Sequence, residues 1–143
     1  MPRSTAVVLT LCVLAFAAAH CGRSAKAEAV ALATAVDQCR RAGAASRAHD
    51  VKTVEDFACT VEDVCAAKQS CGDALAVTAE ALAIKDRVAQ RLDDIEAKRL
   101  ALDDLEAEAL PGQLDVATRL LGEGRAKMGI CDARLAELTA KYH

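Results

Sequence analysis

Tryptophan is missing from this chain, and aromatic side chains are confined to Phe16, Phe57 and Tyr142. Base stacking needs aromatic platforms, and tracking of a phosphate backbone needs a basic stripe. Here 18 basic residues face 21 acidic ones, well mixed, so no nucleic-acid partner is expected. Proline occurs only as Pro2 and Pro111, which leaves little to interrupt a helix. No Cys-x-x-Cys occurs, which removes thioredoxin-like redox pairs, zinc ribbons and Cys-x-x-Cys-His haem attachment. The three histidines are His20, His49 and His143, at the cleavage region, in a loop and at the terminus, and none has a third ligand or a catalytic partner. A nucleophile needs a positioned base and an oxyanion site, and no Ser-His or Cys-His neighbourhood supplies them. No catalytic, cofactor-binding or metal-binding residue is therefore assigned, and the chain is read as a non-enzyme without cofactors.

Long apolar runs are also lacking, with one short exception at the start. Arg3 gives a positive opening, Ala6 to Ala19 form an apolar stretch, and Ala17-Ala18-Ala19-His20-Cys21 follow. Spanning a bilayer takes about 20 apolar residues, so this layout reads as a secretory signal over 1–20 that is removed. Ala18-Ala19-His20-Cys21 resembles a bacterial lipoprotein box, with Ala18 where a larger aliphatic is usual and His20 where a small residue is usual. The resemblance implies that Cys21 becomes a lipidated first residue. Several acyl chains there would anchor the protein firmly, whereas a single chain binds marginally. Cleavage after Ala19, leaving His20 first, is the alternative. A later cut after Ala25-Lys26-Ala27 is disfavoured by Arg23 and Lys26 beside the apolar core. The expected organisation is thus a signal at 1–20, a short tether at 21–25 and one helical domain at 26–143. The expected location is the envelope membrane facing the periplasm, or the soluble periplasm or exterior if Cys21 carries no lipid.

What fills the chain is alanine, 33 of 143 residues, the best intrinsic helix former. Without 1–20 the charges are 17 basic and 21 acidic, a mild excess of −4. The fold class expected is all-α: a small bundle of about four helices, the last two forming a long antiparallel coiled-coil hairpin stapled by disulfides. A first helix over Ala25 to Arg41 repeats Val30, Ala33, Val36 and Cys39. After the soft Ala42-Gly43-Ala44-Ala45-Ser46 connection, a second begins near an Asp50 or Thr53 cap. In it Thr53-Val54-Glu55-Asp56-Phe57 recurs one heptad on as Thr60-Val61-Glu62-Asp63-Val64, with Val51, Val54, Ala58, Val61 and Cys65 as its stripe. Ser70-Cys71-Gly72-Asp73 is read as the end of that helix.

The third helix is expected over Ala74 to Leu110, about 55 Å long, with Val77, Ala81, Ile84, Val88, Leu92 and Ile95 on one side. Leu102 and Leu105 continue that side less cleanly. Pro111-Gly112 reads as the helix–helix turn. The fourth helix, Gln113 to about Lys141, alternates steps of 3 and 4 from Leu114 through Ala117, Leu121, Gly124, Met128, Cys131 and Leu135 to Leu138. That seam over 113–141 could also be satisfied by a second copy, so a homodimer is an open expectation. Gly122, Gly124 and Gly129 within it read as close backbone approach.

The disulfide candidates are Cys39, Cys59, Cys65, Cys71 and Cys131, because bonding is the default for an exported chain. Cys59, Cys65 and Cys71 sit six apart and point three ways on a helix, so they make no joint metal site. With the turn at Pro111-Gly112, Cys131 lies opposite Leu92 and about 30 Å from Cys71. This argues against Cys71–Cys131 and predicts a bond from Cys131 to Cys39 or Cys59. Leu92-Asp93-Asp94-Ile95-Glu96-Ala97 recurs as Leu102-Asp103-Asp104-Leu105-Glu106-Ala107 and reads as a solvated helical face. Asp94–Lys98, Glu123–Lys127 and Glu137–Lys141 have favourable i,i+4 spacing. The function these features suggest is a non-catalytic, exported, lipoprotein-like helical module at a bacterial envelope, acting through contacts with an unknown protein. The alternative is a soluble accessory or binding protein of the same build.

Overall fold

The alanine-rich stretches are helical in the computed structural model, which describes residues 24–142; no strand occurs among them. In chain order the helices are α1 (Ala25–Arg40), α2 (Arg47–Glu55), α3 (Glu62–Glu96), the single turn α4 (Leu105–Glu108) and α5 (Leu110–Tyr142). Residues 1–23 and 143, which include the signal, Cys21 and His143, lie outside the described residues. α1 starts at Ala25, where the first helix was expected, and Ser24 caps it: its hydroxyl accepts the Ala27 amide at 3.2 Å.

The inward face of α1 keeps only Val36 and Cys39 of the expected stripe. Ala29, Leu32, Val36 and Cys39 are buried, while Val30 is 58% exposed. Steps of three, as in Val30-Ala33-Val36-Cys39, drift by about 60° each and spread over half the helix. The 3-4-3 steps from Ala29 to Cys39 keep to one side, which is why Leu32 rather than Val30 enters the core.

The second correction concerns the repeated Thr-Val-Glu-Asp. Its first copy ends α2 and its second copy opens α3, so the two are not successive heptads of one helix. His49 accordingly falls inside α2 rather than in a loop. The break is made by a residue far away in sequence. Glu28 of α1, 2% exposed, accepts the Thr60 amide at 2.9 Å and the Val61 amide at 3.2 Å, and also the Thr60 hydroxyl. It thereby satisfies amides at the start of α3 that no intrahelical carbonyl reaches. The helix then runs straight through Ser70-Cys71-Gly72-Asp73, where Cys71 and Gly72 are buried.

The third correction moves the chain reversal. α3 stops at Glu96, and Lys98 takes a left-handed conformation at φ 57°. The amides of Lys98, Arg99 and Leu100 turn back onto carbonyls of Ile95 and Asp94. Asp104 then caps α4, accepting the Glu106 amide at 2.9 Å. Pro111 falls in the first turn of α5, where its missing N–H costs nothing and its fixed φ suits a helix.

α3 and α5 consequently run side by side in opposite directions. Asp63 meets Lys141 and Tyr142, Cys71 meets Cys131, and Arg91 meets Glu106. At Gly124 an added Cβ would lie 3.4 Å from the Thr78 Cα and clash with the Thr78 hydroxyl, so close approach does explain that glycine. Gly122 and Gly129 face open space. The apolar interior has two parts. Leu32, Val36, Val54, Val64, Cys71 and Cys131 join α1, α2, α3 and α5 at one end. Ala81, Ile84, Val88, Leu110, Ala117 and Leu120 fill the other end from α3 and α5 alone.

Two stability outcomes follow from this packing. Glu28→Ala strands the Thr60 and Val61 amides and should lower the unfolding free energy by about 1–3 kcal/mol in denaturant titration. The bond between Cys71 and Cys131 closes a 60-residue separation and that between Cys59 and Cys65 only six. Loop-closure entropy puts the first near 4 kcal/mol and the second near 2 kcal/mol, so Cys71→Ser/Cys131→Ser should melt well below Cys59→Ser/Cys65→Ser.

Candidate interaction surfaces

Of the five cysteines expected in disulfides, four are bonded: Cys59 to Cys65 and Cys71 to Cys131, with Cα separations of 5.5 and 4.7 Å. The expected pairing of Cys131 with Cys39 or Cys59 is therefore wrong. Placing the reversal ten residues too late shifts the register of α5 on α3 by about twenty, or about 30 Å, which had separated Cys71 from its true partner. Cys39 is buried without a cysteine partner among the described residues. Burial first, and then the charge of Asp50, hold its thiol above the ordinary range. It is a protonated core residue rather than a nucleophile. Arg40, its neighbour on α1, reaches α5: its guanidinium pairs with Asp132 and lies 3.0 Å from the Met128 Sδ and 3.6 Å from the Cys131 Sγ. Arg47 ties α2 to α3 through Asp86 at 2.9 Å.

At the end where α5 finishes, a groove of about 360 Å³ lies between α1 and α5, lined by Lys26, Val30, Ala33, Leu138, Thr139 and Tyr142. Ala29, Val30, Ala33 and Leu138 form its apolar wall, and Lys26, Thr34, Asp37, Thr139 and Tyr142 complete the lining. Beside it Asp63, in the first turn of α3, gathers three donors. Lys141 Nζ donates at 2.6 Å, the Tyr142 hydroxyl lies 2.9 Å from both carboxylate oxygens, and the Val64 amide donates at 3.0 Å. The Lys141 contact chiefly holds the Asp63 carboxyl below its usual range, with Tyr142 assisting against some desolvation. The same contact raises Lys141. Lys141 thus spans helices to Asp63 instead of pairing with Glu137, which takes Arg134. Asp94 likewise takes Arg91 and Arg99 rather than Lys98, while Glu123–Lys127 forms as expected.

The opposite, turn end looks different. Leu102 and Leu105 are 77% and 80% exposed, and Leu92, Leu114 and Val116 are exposed nearby. The second Leu-Asp-Asp copy is therefore not a helical face but the reversal itself and the turn of α4. The α5 seam offered to a second copy is largely covered within the chain: Ala117, Gly124, Cys131 and Leu138 are buried.

Among the described residues, no three or more His, Cys, Asp or Glu are placed to hold a metal ion, and no helix is long and apolar enough to cross a membrane. Two surfaces stand out among the described residues: the groove between α1 and α5 and the leucine-bearing turn.

Tyr142 is the one tyrosine in a chain without tryptophan, so its emission reports the Asp63 contact directly. A carboxyl with a lowered folded-state pKa contributes stability above the ordinary aspartate value of about 3.9 and loses it as pH falls through the folded value. Tyrosine emission, quenched by the carboxylate, should rise in a transition centred below about 3.9, and Asp63→Asn should abolish that transition. The chain matches no known protein family, no curated protein and no solved structure.

Proposed function

We propose that this chain is an exported, non-catalytic helical module that acts through protein contacts at a bacterial cell envelope, held to the membrane by lipid on Cys21. In this reading α3 and α5 form a coiled-coil hairpin that serves as an arm, and α1 and α2 brace its base. The observation that carries the reading is the contrast between the two ends. Disulfides and a core shared by α1, α2, α3 and α5 secure the base, whereas the far end has a core from α3 and α5 alone, with leucines of the connection and of α4 turned to solvent. Disulfides persist in oxidising compartments, which supports export.

The test is the intact mass of the mature protein from its native host, before and after reduction. A lipid-sized addition on Cys21 is expected, with a gain of four hydrogens on reduction for two disulfides. A mass beginning at His20 without lipid would make the protein a free accessory factor. A mass that retains residues 1–20 would overturn export by a cleaved signal.

A further inference from the structure

Resting on the reading that the module works through protein contacts, we propose that the turn end of α3 and α5 is its docking site. The partner fitted to it is a protein surface in which an apolar pocket is ringed by lysine and arginine.

The first support is where the two Leu-Asp-Asp copies end up. In the first copy Ile95 packs inward against the α3/α5 core, but its counterpart Leu105 points outward beside Leu102. Single exposed leucines are ordinary, yet here two of the most exposed large apolar residues share one reversal.

Charge supplies the second support and selects the partner. Residues 92–108 hold seven acids and two bases, a net of −5, while the chain without 1–20 is −4. The remaining residues of that chain are therefore net +1, and the acidic excess belongs to the turn end. Asp94 and Glu106 are engaged by Arg91 and Arg99. Asp93, Glu96, Asp103 and Glu108 are exposed and make no ion pair among the described residues. Leucines within an acidic rim complement a basic rim around an apolar pocket, and like charge disfavours other partners.

Position is the third support. Ser24 lies at the base, since Glu28, one turn on, caps the start of α3. The 35 residues of α3 carry the turn end about 50 Å from there. A tether at Cys21 would hold this end clear of the bilayer, and its acids would repel an anionic lipid surface. A protein partner is thereby favoured over a membrane.

The probe is a synthetic 18-residue amphipathic helix of leucine and lysine, titrated into the full mature chain, with a leucine–glutamate helix of the same pattern as control. Binding of the lysine helix alone is expected, weakening as salt rises. Leu102→Ser/Leu105→Ser should weaken it at least about tenfold, since two leucines lose their burial. Asp103→Asn/Glu108→Gln should weaken it with a flatter salt dependence, and Val30→Ser in the base groove should leave it unchanged. These side chains are exposed, and unchanged helical circular dichroism would verify folding. Equal affinity of wild type and Leu102→Ser/Leu105→Ser, or loss of binding on Val30→Ser alone, overturns the proposal. In the native host, a photo-crosslinker at Leu105 should give an adduct on a lysine- and arginine-rich protein segment that one at Val30 does not. Adducts from Val30 only would overturn the turn-end site while leaving a protein-contact role standing. Adducts from neither position would overturn both. An adduct with lipid or with a second copy at Leu105 would overturn the partner named here.

Discussion

The register of α5 on α3 determines where every other feature falls. It is fixed where Cys71 bonds Cys131 and where Gly124, lacking a side chain, lets Thr78 close in. Given that alignment, the last turn of α5 delivers Lys141 and Tyr142 to Asp63 at the opening of α3. The same alignment leaves the reversal near residue 101, so that Leu102 lies in the connection and Leu105 opens the single turn α4, both at the tip rather than within α3. A slip of one helical turn would move each contact by about 5.4 Å and put a Cβ where Gly124 now stands. Covalent bond and glycine thus specify one alignment between two long, alanine-rich surfaces that are otherwise permissive.

Much of the helical class was legible in the chain itself. Alanine content, scarce proline and apolar steps of 3 and 4 led to helices, and α1 ends within a residue of its expected limit. The α3 stripe from Val77 through Ala81, Ile84 and Val88 also lies against its partner as its spacing implies. What escaped notice depends on contacts remote in sequence or on unusual local chemistry. The α2/α3 break needs Glu28, which lies 32 residues before Thr60, and no local pattern announces it. The reversal uses Lys98 in a conformation usually given to glycine, so the usual marker was missing there. Pro111-Gly112 carried a stronger turn signal ten residues too late, because a proline in the first turn of a helix looks the same in sequence as one in a loop. Both surfaces inherited that error: the disulfide partner of Cys131 and the fate of the second Leu-Asp-Asp copy.

The division of labour along the molecule is physical before it is functional. At the base, α1, α2, α3 and α5 share a core that encloses a neutral thiol at Cys39 and a buried carboxylate at Glu28, each with its surroundings arranged around it. Beyond Ala81 two helices can cover only one side of each other, so apolar residues such as Leu92, Leu114 and Val116 remain in contact with water. Each of the two helices holds its backbone bonds internally, and their outward faces stay in contact with water.

The spacing of the cysteines also orders the path by which the chain becomes oxidised. Cys59 and Cys65 need only close a loop of six residues, whereas Cys71 and Cys131 must find each other across sixty. The entropic cost of the first encounter is lower, so the short bridge forms while the chain is still largely open. Among the described residues three thiols are then left, and the docking of α1 buries Cys39 and keeps it protonated, removing the wrong nucleophile from the exchange. The long bridge closes once α5 has aligned on α3, and it records that alignment covalently. Bond and alignment thus support each other: Cys71 and Cys131 meet only where α5 lies against α3 in register, and once joined they hold it there.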